Sequence, residues 1–305
     1  MKILISLIIF ISVFASQSAS ALTVTHYVKK PNHSLVLHKK GEVVTYVPNS
    51  SFHLGIKIIG SYFFFQYSWK IPNSNFGRSN IGNDKYRDLR LGIYPGGTLI
   101  EVFYKKYEGF SSTENGDNPA CDNCLIRNSL VSEEALMQVI FPLSKDLDLR
   151  DIISGARSSV KGGWGSTIHF YGNRLKTRDR EGLIQGDFLD NHSEFANINE
   201  FDLTQYGTGI GVGGVFPFTS FLYAGALTTA GVGYQYNNFI YFDGVTKERE
   251  EFGLNYNLRF IIGTHRDGVN IGLRGMVVSN LFDIGERTSF GSVNYEGRLY
   301  LSYNF

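Results

Sequence analysis

Alternation of apolar and polar residues is the strongest pattern in this sequence. From Val293 to Phe305 the odd-numbered positions carry valine, tyrosine, leucine, phenylalanine and one glycine. The even-numbered positions carry asparagine, glutamate, arginine, serine and one tyrosine. The same period of two runs from Val269 to Val277 and from Phe252 to Ile262. Successive side chains of a strand point to opposite faces, so this period predicts β-strands with one apolar and one polar face.

These strands are too long for an ordinary soluble sheet. The alternation persists for about 11 to 15 residues, whereas a soluble strand usually has about five or six residues and a tilted membrane crossing needs about nine to eleven. The polar faces carry glycine, as a crowded interior requires, and the apolar faces carry aromatic rings near the strand ends. We therefore predict an all-β protein, a transmembrane antiparallel up-and-down β-barrel of about 12 strands, with about ten as the alternative. A periplasmic sandwich is the disfavoured interpretation.

Link lengths predict the topology, because outer-membrane barrels have short periplasmic turns and long external loops. For short and long connections between strands to alternate strictly, residues 43–47 must form a first strand that runs from the periplasmic to the external side. Strict alternation also requires that 145–163 stay periplasmic, with a short helix near 149–156. The candidate strands are 43–47, 52–59, 61–71, 86–94, 98–108, 134–142, 164–176, 203–216, 220–236, 251–264, 269–281 and 290–305.

The N-terminal segment has the features of an export signal. A lysine at position 2 precedes an apolar run over 3–14, and Ala19-Ser20-Ala21 forms a small-residue cleavage site. We predict a signal peptide over 1–21, in preference to a membrane anchor, because polar residues follow the run directly. Residues 22–42, rich in lysine and histidine, are predicted to form a basic periplasmic arm, and 43–305 the barrel. The expected location is the bacterial outer membrane.

Composition narrows the function further. With 43% hydrophobic residues and a formal net charge of +1, the chain is too apolar to be disordered and too neutral for a nucleic-acid partner. Two cysteines in 305 residues exclude a disulfide scaffold. Abundant glycine, tyrosine and phenylalanine with only 7 prolines suit long strands.

Charged residues on the inward-facing register predict a net-positive lumen. They are Lys57, Arg90, Glu101, Lys105, Arg259, Arg274, Glu296 and Arg298, with His53 and His169 on the same face. One interpretation is a porin-like passive channel or binder for small anionic solutes, since low-dielectric walls focus the field of fixed charges. The other is an ion-pair network that fills a closed barrel. A closed barrel would serve as a structural or surface-recognition element through its long loops.

Other candidate chemistry is weaker. Cys121 and Cys124 lie in a predicted external loop, where a small structural disulfide is favoured over a redox motif or half of a zinc site. An outer-membrane hydrolase is disfavoured because the sequence has no Gly-x-Ser-x-Gly elbow and His169 is assigned inward. We expect no catalytic residues, no metal ligands and no cofactor.

Several short phrases resemble a family of uncharacterised outer-membrane β-barrels, the domain of unknown function 4421. They are Tyr46-Val47-Pro48-Asn49, Leu54-Gly55, Lys85-Tyr86 with Leu89, and the run from Phe103 to Phe110. The resemblance extends from about residue 41 to 305, while the cysteine loop and the basic segment before Gly41 depart from it. It implies the barrel fold and an outer-membrane address, and it carries no activity.

The last strand is similar to the terminal strand of bacterial outer-membrane barrels. It alternates to its end and finishes with Tyr303 and Phe305. We therefore expect the barrel-assembly machinery to be a partner through this strand. Outer-membrane lipid and lipopolysaccharide are the other expected partners, and small solutes are possible ones.

Overall fold

The computed structural model describes residues 22–39, 42–48, 52–71, 85–114, 125–155, 162–183, 197–264, 268–285 and 288–305. The predicted signal peptide over 1–21 and both cysteines of the predicted disulfide lie outside the described residues. In the part of the chain that is described, no helix is long and apolar enough to cross a membrane.

Thirteen strand segments and one short helix make up the described structure. The strands are β1 Thr23–Lys39, β2 Glu42–Pro48, β3 His53–Ile59, β4 Phe63–Lys70, β5 Lys85–Ile93, β6 Leu99–Glu114, β7 Leu125–Pro142, β8 Gly163–Arg178, β9 Ile198–Pro217, β10 Leu222–Tyr241, β11 Thr246–Thr264, β12 Val269–Gly285 and β13 Thr288–Asn304. Helix α1 covers Leu149–Ile153, and a 3₁₀ turn covers Pro95–Gly97.

The strands form a closed antiparallel barrel. Neighbours in sequence pair from β3 to β13, and β1 closes the ring by pairing with β13 over its whole length, from Thr23 opposite Asn304 to Lys39 opposite Thr288. On its other edge β1 pairs with β2 and then with β3. Since β2 and β3 run in the same direction beside one strand, they are two pieces of one barrel strand. The ring therefore has twelve strands, as the sequence predicts.

The ring is wider at one end than at the other. At the end where β1 begins and β13 ends, β4 and β5 lie between β3 and β6. At the opposite end β4 has stopped at Lys70 and β5 has not begun, and β2 pairs directly with β6, with Val44 opposite Glu114 and Pro48 opposite Phe110. The barrel thus has twelve strands at the first end and ten at the second. Four of the five connections at the first end have five residues or fewer, whereas three of the six at the second end have ten or more. Outer-membrane barrels carry short turns inside and long loops outside, so we assign the first end as periplasmic and the narrower end as extracellular.

The prediction of a basic periplasmic arm over 22–42 is wrong. Residues Thr23–Lys39 form β1, and the segment 43–47, predicted to rise as a separate first strand, descends in line with β3. These two errors cancel, which is why the strand count is still correct. The outward face of β1 carries His26 and Lys30 among its valines, and this interruption hides the alternation of the strand.

The strands are long enough to rise above the membrane. A strand of 20 residues such as β9 is about 50 Å tall at a rise of about 3.3 Å per residue and a tilt of about 40°, whereas the apolar band of a barrel is about 25 Å tall. On β8 the outward residues are mainly apolar from Trp164 to Gly172, and they are charged from Arg174 upward. Two predicted long loops are accordingly replaced by strand, because β10 continues to Tyr241 and β12 to Gly285.

Glycines in β9 and β10 make room for rings in the lumen. A Cβ atom at Gly207 or Gly233 would lie 2.5 Å or 2.7 Å from the hydroxyl oxygen of Tyr171. The ring of Tyr171 stacks on His169 with centroids 5.1 Å apart, and a Cβ atom at Gly231 would lie 3.1 Å from that imidazole. Glycine is needed here because the rings lie directly against the backbone. The low side-chain content of 203–216 is thus part of the lumen packing.

Candidate functional site

Packed side chains occupy the lumen at three levels. The upper apolar cluster, near the extracellular end, includes Leu35, Tyr46, Leu130, Phe201 and Phe290, all buried. An ionic layer lies in the middle. It comprises Lys29, Asp88, Arg90, Glu101, Lys105, Glu134, Arg259, Glu296 and Arg298, also buried.

The lower apolar cluster, near the periplasmic end, is completed by helix α1. Leu149 and Ile152 of this helix are buried against Leu99, Tyr223 and Ile261 of the barrel wall. The helix follows β7 and turns back into the barrel, so its apolar side chains fill the wide end. Burial of each such side chain contributes about 1.5 to 3 kcal/mol relative to leaving it in water.

Polar contacts attach α1 to the wall. Lys57 donates from Nζ to the carbonyl oxygen of Ile153 (2.6 Å), so a cation satisfies one of the carbonyls that a helix leaves unpaired at its C-terminus. The hydroxyls of Tyr94 and Ser154 lie 2.6 Å apart, and Arg150 donates to the backbone of the β3–β4 turn. Burial raises the pKa of the Tyr94 phenol, which keeps this group neutral and able to donate.

Glu296 is the centre of the ionic layer. Its carboxylate lies 3.3 Å from Nζ of Lys29 and 3.2 Å from Nη2 of Arg90, and it also pairs with Arg298. Lys29 in turn pairs with Asp88. One carboxylate therefore holds three cations that come from three different strands, β1, β5 and β13.

Glu101 forms a second centre on the neighbouring wall. It accepts from Arg259 (2.5 Å) and from Gln138 (2.5 Å), and Nε of Arg90 lies 3.7 Å away. Arg90 therefore lies between Glu101 and Glu296 and joins the two groups. Because these charges are removed from water, they are stable only as a connected set.

The predicted lumen residues lie inside the barrel, but they do not form one cluster. Arg90, Glu101, Arg259, Glu296 and Arg298 are joined by ion pairs. The remaining three contact neutral groups. Lys105 donates to Asn294 (3.3 Å), Lys57 binds α1, and Arg274 lies 5.4 Å from the ring centre of Tyr300.

Sequence reasoning missed four members of the site. Lys29 and His33 lie in the segment predicted as the periplasmic arm, whereas Asp88 and Glu134 lie inside or at the edge of predicted strands without being among the predicted lumen residues. The period of two is enough to identify the two carboxylates. Asp88 lies on the same strand face as the inward Arg90, and Glu134 lies on the same face as the inward Gln138. The lysine and the histidine are harder to identify, because the outward His26 and Lys30 interrupt the alternation of β1.

His33 lies in a chain of polar groups above the ionic layer. Its Nδ1 lies 2.6 Å from Oδ1 of Asn294 and 3.7 Å from a carboxylate oxygen of Glu134, while its Nε2 lies 2.7 Å from the hydroxyl of Ser132. The ring stacks in parallel on Tyr107 with centroids 5.2 Å apart. A serine, an imidazole and a carboxylate are thus arranged in sequence, but all of them are buried.

Comparison with known families identifies the relatives of this chain. Residues 12–305 match the family described as domain of unknown function (DUF4421). The chain belongs to this family. The match begins well before residue 41, so β1 is part of the family's domain and is not a departure from it. A search of curated proteins found no match.

Solved structures similar to this member of the family are outer-membrane barrels. The outer-membrane protease OmpT of Escherichia coli is 8% identical, with 93% of this chain and 97% of that chain covered and a TM-score of 0.43. The translocator domain of the autotransporter NalP of Neisseria meningitidis is 14% identical, with 96% and 92% covered and a TM-score of 0.39. The toluene transporter TodX of P. putida is 8% identical, with 95% and 92% covered and a TM-score of 0.28. No residue role is carried over from these proteins.

The C-terminal residues of this DUF4421 barrel lie at the periplasmic end of the β1–β13 seam. The backbone N–H of Phe305 donates to the carbonyl oxygen of Leu22 (2.9 Å), and its ring is exposed. Tyr303 points outward, with its ring edge-to-face against His26 at 6.4 Å. A role of Tyr303 and Phe305 in barrel assembly stays a prediction.

Proposed function

We propose that this outer-membrane barrel is closed and acts as a structural or surface-recognition element through its extracellular end. The observation that carries the proposal is the packing of the lumen at three levels, with apolar clusters above and below an ionic layer. A solute would have to displace both clusters and separate buried ion pairs. Breaking one buried pair by removing a partner typically costs about 3 to 5 kcal/mol.

The extracellular end supports a role in contact with other molecules. The barrel wall continues above the apolar band and is filled there by the upper apolar cluster. This gives a rigid stalk that carries the connections 71–84, 115–124 and 184–196 away from the membrane. Binding residues are often found on loops that a rigid scaffold positions.

Planar-bilayer recording tests closure directly. Purified wild-type barrel is expected to give no discrete conductance steps, with an established open porin as the positive control. A variant that lacks 147–155, which include α1, opens only the lower level and is also expected to stay silent, since the ionic layer and the upper cluster remain. Frequent, uniform steps from wild-type protein would overturn the proposal.

Loop replacement tests the surface role. The ends of the connection 184–196 are close together, since the N–H of Leu183 donates to the carbonyl of Ile198 (3.0 Å). A short Gly-Ser linker can therefore replace this connection. Cells that carry this variant are expected to lose cell–cell or surface adhesion while they keep a folded barrel. Unchanged adhesion after replacement of all three connections would contradict the role.

A passage or binding site for small anionic solutes is the second candidate. It is favoured by two basic side chains of the lumen, because Lys57 contacts a backbone carbonyl and Arg274 lies against an aromatic ring. Among the described residues, no carboxylate lies within ion-pair distance of Lys57 or Arg274. An anion-selective conductance that Arg259→Ala and Arg274→Ala reduce would favour this candidate over the closed barrel.

Hydrolase activity receives no support from the His33 chain. A nucleophile must reach its substrate, whereas Ser132 is buried beneath the upper apolar cluster. We expect no reaction of Ser132 with a fluorophosphonate probe in detergent micelles. Labelling of the wild type that is lost in Ser132→Ala would reverse this expectation.

A further inference from the structure

A recess lies on the outer wall of the barrel, on the lipid side. We call it the outer groove. It has a volume of about 680 Å³, within the range of about 300 to 1,000 Å³ that is usual for ligand sites. Its lower part is apolar and is lined by Val102, Met137, Phe170 and Tyr206. The small residues Ala135 and Gly172 contribute to the recess between these larger side chains.

The upper end of the outer groove is polar. Arg174, Thr204 and Asn238 line it where the apolar band ends. The guanidinium of Arg174 donates twice to Asp202 (2.9 Å and 2.7 Å), and this ion pair fixes the arginine across the top of the groove while 61% of its side chain remains exposed. The amide oxygen of Asn238 is buried and has no hydrogen-bond partner among the described residues.

Charge on the outer wall is distributed unevenly around the barrel. From β5 to β8 the outward residues above the apolar band include six cations and two carboxylates. They are Lys85, Arg87, Lys106, Arg174, Lys176 and Arg178, with Glu108 and Glu133. From β9 to β11 the outward charges in the described strands are Glu200, Asp202, Glu248 and Glu250. The outer groove spans this border, with Arg174 on the basic side and Asp202 on the acidic side.

One basic side chain above the groove, Arg178, is only weakly paired with a carboxylate. Arg178 is 52% exposed, and its nearest carboxylate, on Glu133, is 3.9 Å away. The same carboxylate group also pairs with Lys106. One glutamate therefore serves two cations directly above the groove. An anion at this level would be stabilised chiefly by Arg178, because Arg174 and Lys176 are paired with Asp202 and Glu200.

We propose that the outer groove is a binding site for a phosphate-bearing lipid of the outer leaflet. One acyl chain lies along the apolar part, and the phosphate lies against Arg174 and Arg178 above it. Apolar contact alone gives little preference in a bilayer, because acyl chains cover every apolar surface there. Selection among lipids therefore comes from the phosphate, which arginine recognises through paired N–H donors.

Fluorescence quenching by brominated lipids tests the site in the intact barrel. The chain has two tryptophans, Trp69 and Trp164. Replacing both by Phe allows a single reporter, Phe170→Trp, in the groove. A second reporter, Phe260→Trp, lies on the outward face of β11, on the acidic side. Each barrel is placed in phosphatidylcholine vesicles that contain brominated phosphatidic acid or, in parallel, brominated phosphatidylcholine.

We expect brominated phosphatidic acid to quench the groove reporter at about a tenfold lower membrane fraction than brominated phosphatidylcholine. The Arg174→Gln and Arg178→Gln double variant should lose most of this preference, since each cation near an anionic surface changes affinity several-fold. Lys30→Gln, which removes an outward cation on β1 on the opposite side of the barrel, should leave it unchanged.

Two competitors separate the sources of phosphate. Unlabelled lipid A should relieve the quenching at Phe170→Trp, whereas inorganic phosphate should not, because it lacks the acyl chain. Equal preference at Phe170→Trp and Phe260→Trp, or an equal effect of Lys30→Gln, would mean diffuse attraction and would overturn the site. Heat-modifiable migration in gels verifies that each variant is folded, and a mutation pair that abolishes it is replaced by Arg178→Gln alone.

Discussion

Removing the charge of Glu296 is expected to destabilise the barrel strongly. Glu296→Gln keeps the size of the side chain but leaves Lys29, Arg90 and Arg298 without the carboxylate that they share. Each contact at about 3.3 Å is worth about 5 kcal/mol at an effective dielectric constant of about 20, before desolvation is counted. All four groups are buried, so water does not replace the lost partner.

The net loss is smaller than this sum, because each cation keeps another partner. Lys29 still pairs with Asp88, and Arg298 still donates to Gln66 (2.5 Å). Breaking a buried pair by removing one side costs about 3 to 5 kcal/mol. We therefore expect a decrease of about 3 kcal/mol in the free energy of unfolding, or roughly a hundredfold in the equilibrium constant.

Guanidinium unfolding in phospholipid vesicles measures this change. The two tryptophans face lipid and report insertion, and linear extrapolation gives the free energy. Glu108→Gln is the matched control, because its partner Lys85 has a 75% exposed side chain and such pairs contribute about 1 kcal/mol or less. The double variant Glu296→Gln, Arg298→Gln removes one surplus cation and should recover part of the loss. A loss in Glu296→Gln within about 1 kcal/mol of the control would refute the reasoning.

Three further results are expected. Gly55→Ala should lower the free energy of unfolding by about 1 to 3 kcal/mol, because the new Cβ would lie 2.1 Å from the ring of Tyr27. Gly297→Ala is the control and should change it little, because its new Cβ meets no atom within 4 Å. Equal losses in the two variants would contradict this packing. Deleting 23–36 should abolish heat-modifiable folding, since β3 and β13 would lose the strand between them, and a folded deletion variant would mean that β1 is dispensable. The two cysteines should resist thiol labelling until they are reduced, and labelling of untreated protein would exclude the predicted disulfide.

The sequence allowed the fold to be predicted because alternation depends only on local geometry. Inside the apolar band most predicted strands agree with the structure to within a few residues, since lipid on one side and a packed lumen on the other impose the period of two. The alternation of apolar and polar residues is lost above the apolar band, where both faces of a strand can be polar. It is also lost on β1, whose outward His26 and Lys30 interrupt the apolar face.

The site was predictable as a set of residues but not as a set of contacts. Alternation shows that Glu101 and Arg259 both point inward, but not that they meet across 158 positions of sequence. That contact depends on how the ring closes and how far its strands are staggered, and neither property is local. The same limit applies to Lys57, whose partner is a carbonyl of α1 rather than a charged side chain.

The change from twelve strands to ten along the axis makes the barrel narrower towards its extracellular end. Barrel diameter grows roughly in proportion to strand number, so the extracellular opening has only about 70% of the cross-section of the periplasmic one. Wall side chains alone can fill the narrow part, as the upper apolar cluster does. The wide part needs additional material, which the turn between β7 and β8 supplies as α1. The position of the helix is thus a geometric consequence of where β4 and β5 end, and a variant that extended these two strands upward would need a second filler at the top.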